Sequence, residues 1–163
     1  MRKNIIYSLL LVVAALFAGC ESRLDIEKHG NMGDQDDFYQ TDEQTEQAVA
    51  SMYSSLKGLY YNWFFIKNLL SDDVWCGGGQ RGDNTSLEQL NEYTYGTDNG
   101  MIQGVFSGLY GLIYQSNLVI EKVADDTPAK KRAIAEAKFF RAWANFELVT
   151  LWGTAPLVDH LLE

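Results

Sequence analysis

The residues best suited to chemistry lie together in one stretch, residues 71–84, which reads SDDVWCGGGQRGDN. This stretch holds a thiol, an indole, a guanidinium and several carboxylates on a glycine-rich backbone. Four kinds of site use such residues: a cysteine nucleophile, a phosphate-binding loop, a metal site and an Arg-Gly-Asp adhesion signal. Each of the four makes a further demand that the sequence can be checked against.

A nucleophilic Cys76 would need a base within reach of its thiol. The sequence offers two histidines for that role, His29 and His160. The first lies in a polar N-terminal region and the second near the end of the sequence, so neither is placed by sequence to serve. A phosphate-binding loop would need Gly-Lys-Ser/Thr before a helix, and the stretch has no lysine. We therefore expect no enzymatic activity.

Metal binding and cell adhesion are also poorly supported. No His/Cys pair has the spacing of zinc ligands, and Asp72, Asp73 and Asp83 do not follow the pattern of an EF-hand calcium loop. We expect neither a metal nor a cofactor. The Arg-Gly-Asp triplet at 81–83 is interpreted as a coincidence of three residues.

Three helices are predicted around this stretch. A capping box at Thr41 and Gln44 opens the first, and apolar residues at three- and four-residue steps continue it to about residue 60. Residues 61–70 are apolar but leave helix and extended chain both open. Between 71 and 100 we expect a loop with two short ordered pieces, at 87–90 and 93–95. A second helix begins near Asp98 or Asn99 and continues to about Val123.

The third predicted helix begins at Thr127-Pro128, which gives an N-cap followed by proline at the first helical position, and ends at Gly153. It is apolar on two sides, and one side carries Phe139, Trp143 and Phe146. Such a helix is expected between neighbours in a stacked array, with most aromatic residues in the core. The spacing of Ala135, Phe139 and Ala142 also fits the second helix of a tetratricopeptide pair. No strand alternation is visible, which predicts an all-α fold.

The N-terminus predicts a lipid anchor. Arg2 and Lys3 precede an uncharged apolar run over 5–17, which is too short to span a bilayer. Small residues and then Cys20 follow, the pattern of a bacterial lipoprotein. We therefore predict a signal peptide over 1–19, lipidation at Cys20, a polar tether over 20–40 and a helical domain over 41–163.

The charge of the chain excludes some partners. Without residues 1–19 the chain keeps all 22 acidic residues and 11 of the 13 basic ones, and so a net charge of −11. Such a chain repels phosphate backbones, so nucleic-acid binding is not expected. Acyl chains, not a polybasic patch, would hold it at the membrane. With Cys20 acylated, Cys76 has no partner for an intramolecular disulfide.

Several segments together resemble the SusD/RagB family of nutrient-binding outer-membrane lipoproteins of Bacteroidota. Besides the lipoprotein start they are DDFYQTDEQTEQAVASMYSSL (36–56), LLSDDVWCGGG (69–79), GLYGLIYQSNLVIEKV (108–123) and AEAKFFRAWANFELVTLWGTAPLV (135–158). In the last segment, Lys138 stands where the family usually has Arg, and Thr154-Ala155 where Asp-Val is common.

The resemblance implies an irregular helical array with tetratricopeptide-like helix pairs and long loops. It also implies a non-enzymatic protein at the outer-membrane surface that captures oligosaccharide for a TonB-dependent transporter, a SusC-like barrel. Family members are several times longer, so this chain is expected to be the N-terminal portion of such a protein. The alternative function is a helical-repeat module that docks proteins and has no ligand of its own.

The resemblance also places part of a glycan site in the opening stretch. The candidate contacts are Asp73, Trp75, Gln80, Arg81, Asp83 and Asn84. A sugar ring stacks its apolar face on an aromatic ring, and its hydroxyls bond amides, carboxylates and Arg. The alternative is that Trp75 is a core residue and that the Asp, Asn and Gly residues only shape turns.

Overall fold

The fold consists of four helices, seen in a computed structural model that describes residues 38–162. They are α1 (Asp42–Leu69), α2 (Thr85–Asn91), α3 (Gly100–Lys122) and α4 (Pro128–Trp152). Over this described range no strand is present. The predicted all-α fold class is confirmed.

Helix α1 begins as predicted and ends later. The Thr41 hydroxyl accepts the Gln44 N–H at 3.1 Å, and the Gln44 side chain accepts the Thr41 N–H at 3.0 Å. These two bonds complete the predicted capping box. The predicted end near residue 60 is wrong: the helix continues to Leu69, because Ile66 and Leu69 extend its buried side.

Side-chain bonds show that α1 and α4 run parallel. Three side-chain hydrogen bonds join α1 to α4 and its N-cap, and their partners lie 85, 83 and 84 residues apart along the chain. The pairs are Asp42 with Thr127, Tyr53 with Glu136, and Trp63 with Glu147. A nearly constant separation over five turns of helix is possible only for parallel helices in a fixed register.

Helix α3 runs antiparallel to α1 and completes a three-helix bundle. Met52 of α1 contacts Ser116, while Leu59, further along α1, lies against Gly108, earlier in α3. The core lies where the three long helices meet. Its fully buried side chains include Met52, Val105, Leu109, Ala137 and Leu148.

The short helix α2 is attached to this bundle by two leucines. It lies against α1 and α3 and buries Leu87 and Leu90. Full burial of one leucine stabilises a protein by roughly 1.5–3 kcal/mol. The predicted ordered piece at 87–90 is therefore confirmed as part of α2. The piece predicted at 93–95 is not regular structure: Tyr93 takes a left-handed turn conformation with φ 57°.

The predicted ends of the last two helices are confirmed. Asn99 is the N-cap of α3, and Thr127 is the N-cap of α4 with Pro128 at its first position. Gly153 ends α4 with φ 73°, a conformation that suits glycine. Beyond it the chain crosses back over the bundle, where Asn117 donates to the His160 carbonyl at 3.0 Å and Arg141 to the Asp159 carbonyl at 2.6 Å.

One expectation about the aromatic residues is not met within residues 38–162. The second apolar side of α4 is not covered by another helix within residues 38–162, since Phe139 is 67% and Phe146 is 64% exposed. On α1, Tyr53 and Tyr60 are also exposed. These four side chains, which we name the outer aromatic face, lie on the two parallel helices.

Candidate functional site

The stretch 71–84 forms a loop that ends at the first turn of α2. Asn84 is the N-cap of α2, and its side-chain oxygen accepts the Leu87 N–H at 3.3 Å. An N-cap fixes the direction in which the chain enters a helix. Because Leu87 is buried against the bundle, α2 gives the loop a fixed edge.

Asp83 holds the backbone of the glycine loop, residues 76–83, from within. Its Oδ2 accepts the N–H groups of Gly79 at 2.6 Å and Gln80 at 3.0 Å. Between Gln80 and Asp83 the chain turns at Gly82, where φ is 92° and a side chain would be strained. The carboxylate therefore acts as the anchor of a tight turn.

One face of α2 holds the same loop from outside. Three side chains bond it, two from α2 at positions 88 and 91 and one from its C-cap at position 92. They share a face because residues three and four apart on a helix are neighbours. Glu88 accepts the Gly82 N–H at 2.7 Å, Asn91 accepts the Cys76 N–H at 2.7 Å, and Glu92 pairs with Arg81. The loop is thus fixed at its start and near its end.

An open cleft of about 270 Å³ lies between the loop and α2. We name it the Trp75 cleft. Its walls are formed by Trp75, Cys76, Gly77, Gly78, Gln80 and Arg81 of the loop, by Glu88 and Asn91 of α2, and by Glu92, the C-cap of α2. Pockets that enclose a drug-sized ligand have roughly 300–1,000 Å³. A cleft of this size has room for one side or one end of a larger ligand.

Trp75 is the one aromatic residue among those that line this cleft. Trp75 is 77% exposed, so it is not part of the core formed within residues 38–162. A buried indole would contribute to stability, whereas an exposed one offers a flat apolar ring to solvent. The exposed ring stands beside hydrogen-bonding side chains from two elements.

Arg81 and Glu92 form a two-point ion pair across the cleft. The Nη1–Oε1 distance is 2.6 Å and the Nη2–Oε2 distance is 2.8 Å. Such bidentate pairs are strong and fix the plane of the guanidinium. The bond from Arg81 lowers the pKa of Glu92 below its ordinary value, and the same bond raises the pKa of Arg81. Both groups stay charged over the physiological range.

Cys76 lines the cleft without the features of a nucleophile. Burial raises the pKa of its thiol, and the negative charge of Glu88 raises it further. A reactive cysteine needs the opposite shift, which keeps it as thiolate at neutral pH. None of the residues lining the cleft is a histidine, and His160 pairs with Asp159 elsewhere in the chain.

The structure divides the six predicted contacts into two groups. Trp75, Gln80 and Arg81 line the cleft. The other three do not: Asp83 bonds the loop backbone, Asn84 caps α2, and Asp73 is exposed on the approach to the loop.

Sequence reasoning missed the contribution of α2. Glu88, Asn91 and Glu92 form the opposite wall of the cleft, and none of them was among the predicted contacts. A signal was present, since three polar residues at helical spacing follow the loop directly.

The fold and the cleft define an all-α protein that presents an indole and several polar side chains at an open surface. A family profile described as "Starch-binding associating with outer membrane", SusD-like, matches residues 26–161. The chain belongs to this SusD-like family, as the resemblance predicted.

Curated relatives agree with this assignment. A SusD-like protein of Bacteroides ovatus is 33% identical over 93% of this chain and 29% of its own length. SusD-like protein P38 of Formosa agariphila is 28% identical over 95% of this chain and 30% of its own. The chain thus spans about a third of the length of these relatives. No solved structure matches it significantly.

The membrane-related predictions concern residues that the structure does not describe. The signal peptide at 1–19, Cys20 and most of the tether lie outside residues 38–162. Of the helices within that range, none combines the length and the apolar character that a bilayer crossing requires.

Proposed function

We propose that the chain is part of a cell-surface lipoprotein that captures oligosaccharide at the outer membrane and passes it to a TonB-dependent transporter. The observation that carries the proposal is the exposed indole of Trp75 beside amide and charged side chains, in a member of a family described as starch-binding. The cleft would form one side of a sugar site.

The chemistry of the cleft suits a sugar. The C–H face of a pyranose stacks on an aromatic ring, and its hydroxyls both donate and accept hydrogen bonds. Trp75 supplies the ring, Gln80 supplies amide groups, and Arg81 supplies N–H donors. Because the loop is held by Asp83 and by α2, these groups are ordered before a ligand arrives, which lowers the entropic cost of binding.

Anchoring and partner are the finer parts of the proposal. The lipoprotein pattern ending at Cys20 supports a lipid anchor, and the family description supports the outer membrane. A surface protein that binds oligosaccharides without cleaving them needs a transporter that takes them in. The raised pKa of the Cys76 thiol disfavours a cysteine nucleophile in the cleft.

Affinity electrophoresis of the Trp75→Ala variant tests the proposal. Loss of a stacking ring costs about 0.5–1.5 kcal/mol beyond the lost contact area, so we expect at least about a fivefold loss of affinity for any polysaccharide that retards the wild type. Phe146→Ala is the matched control, because it removes an exposed aromatic ring remote in sequence from the cleft. Equal retardation of all three proteins would contradict a role for Trp75.

A second candidate function is protein docking, and the outer aromatic face favours it. Exposed apolar patches on soluble proteins commonly mark interaction surfaces. Beside this face, α1 and α4 form a groove of about 600 Å³ lined by Tyr53, Ala129, Arg132 and Glu136 among others. A docking module would keep its partner in the Trp75→Ala variant and lose it when Phe139 and Phe146 are both replaced by serine.

A further inference from the structure

The Trp75 cleft has a negative balance of charge. Its walls carry two carboxylates, Glu88 and Glu92, and one guanidinium, Arg81. The surrounding segment 71–99 has six acidic residues and no basic residue other than Arg81. A ligand with its own negative charge would therefore depend on Arg81 alone for attraction within this segment.

Arg81 is not available as an unpaired cation. Two of its N–H groups point at the two oxygens of Glu92, at 2.6 and 2.8 Å. A guanidinium has five N–H donors, so the others can still bond a hydroxyl. Binding a hydroxyl needs donors and acceptors but no net charge, whereas binding a carboxylate or sulfate needs a net positive field.

The Glu88 charge adds to this effect. Its Oε1 accepts the Gly82 N–H at 2.7 Å, which fixes the carboxylate at the wall of the cleft. The field of Glu88 is already felt inside the cleft, where it contributes to the raised pKa of the Cys76 thiol. An anionic ligand would meet this field, while the one guanidinium at the walls of the cleft, Arg81, is already paired with Glu92.

We propose that Glu92 is the specificity-determining residue of the Trp75 cleft: by pairing with Arg81, it makes the cleft select neutral sugars over sugars that carry carboxylate or sulfate groups. The inference rests on the proposed glycan-binding function and names the ligand class that this function would serve.

The test compares the wild type with the Glu92→Gln variant on two sets of polysaccharides in native affinity gels. The neutral set is amylopectin, xylan, mannan and dextran, and the anionic set is polygalacturonate, alginate and dextran sulfate. We expect the wild type to be retarded by a member of the neutral set only.

Glu92→Gln leaves Arg81 without its counter-ion, so this variant should gain about fivefold in affinity for anionic polymers, the size of one charge contact at 4 Å in water. The gain should disappear at about 0.5 M salt.

Two controls separate a local effect from a change in total charge. Glu136→Gln removes the same charge from another surface pair, Arg132 with Glu136 at 2.7 Å, which does not line the cleft. The double variant Arg81→Gln/Glu92→Gln removes both members of the cleft pair. Neither should gain affinity for the anionic set.

The possible outcomes are distinguishable. Retardation of the wild type by anionic polymers, or an equal gain in Glu92→Gln and Glu136→Gln, overturns the role of Glu92 and leaves glycan binding intact. Retardation by neither set overturns the proposed function, and the specificity with it. A gain confined to Glu92→Gln supports both.

Discussion

Asp83 shows how one side chain can shape a site without lining it. Its Oδ2 accepts two successive N–H groups, those of Gly79 and Gln80, in a loop whose glycines have few other restraints. Removal of an acceptor leaves both donors to water and returns the loop to many conformations. Gln80 and Arg81, which line the cleft, lie within the turn that Asp83 closes.

Replacing Asp83 with alanine should loosen the loop without unfolding the protein. Each of the two lost bonds contributes about 0.5–1.5 kcal/mol to local order, so the Gly79 and Gln80 amides should exchange with solvent at least about tenfold faster. Glycan affinity should fall as the loop loosens, while the melting temperature falls by no more than about 10 °C and the protein stays folded. Amide exchange followed by NMR measures the first effect.

Asp73→Ala provides the control at this scale, because it removes an exposed carboxylate from the approach to the loop. It should leave the exchange of the Gly79 and Gln80 amides unchanged. Equal exchange in the wild type and in Asp83→Ala would show that the loop is held by other contacts.

At the scale of single residues, the sequence indicated some of the side chains that lie at the cleft, but it did not indicate which groups they bond. An indole and a guanidinium in a glycine-rich loop suggested a site, and both Trp75 and Arg81 line the cleft. The pairing of Arg81 with Glu92 depends on where α2 lies in space, which follows from burial of Leu87 and Leu90 and not from loop composition. A carboxylate such as Asp83 could bond a ligand hydroxyl, but in the structure it bonds the loop backbone instead.

At the scale of elements, Asn99 joins the site to the bundle. It is 2% exposed, and its side-chain oxygen accepts the N–H groups of Met101 at 3.0 Å and Ile102 at 3.4 Å, which caps α3. Its amide nitrogen donates to the Ser86 carbonyl and to the Gln89 side chain, both at 3.0 Å. One buried side chain therefore fixes the position of α2 relative to the start of α3.

We expect Asn99→Ala to destabilise the protein by about 2–4 kcal/mol, since it loses an N-cap and leaves buried polar groups without partners. Because α2 carries one wall of the cleft, glycan affinity should fall in the same variant. Urea unfolding measures the first effect and affinity electrophoresis the second. Asn84→Ala, which removes the cap of α2 alone, should cost about 1 kcal/mol. If Asn99→Ala and Asn84→Ala lower the free energy of unfolding by the same amount, Asn99 does not hold α2 to α3.

Helix ends were predictable where a local signal marks them. Thr41, Asn99, Thr127 and Gly153 are capping residues recognisable within four positions of sequence, and all four mark helix ends in the structure. The end of α1 was not predictable, because residues 61–70 have no such signal before Leu70 and packing of Ile66 and Leu69 decides it. The exposure of Phe139 could not be predicted either, because periodicity shows that a helix has an apolar side but not whether another helix covers that side.

At the scale of the whole molecule, the dependence of stability on pH follows from all the charges together. The net charge is −9 at pH 7 and the isoelectric point is about 4.6, so mild acidification relieves self-repulsion. The bond from Arg81 lowers the pKa of Glu92, and the bond from Lys130 lowers the pKa of Asp126. In the opposite direction, the charge of Glu136 raises the pKa of Tyr53 above its ordinary value.

Together with the relief of self-repulsion on mild acidification, these shifts predict a stability maximum at about pH 5–6 with a loss on either side. Folded Glu92 and Asp126 bind protons less tightly than in the unfolded chain, so their contribution is present above their ordinary pKa values of 4.5 and 3.8 and is lost as the pH falls further. Folded Tyr53 binds its proton more tightly, so its contribution is present below pH 10.0 and is lost as the pH rises.

Melting temperatures measured by circular dichroism from about pH 3 to 11 check the acid limb and the alkaline limb of this dependence. The Glu92→Gln/Asp126→Asn variant should flatten the acid limb and leave the alkaline limb intact, whereas Tyr53→Phe should do the reverse. An acid limb that is identical in the wild type and the double variant would mean that carboxylates other than these two control acid unfolding.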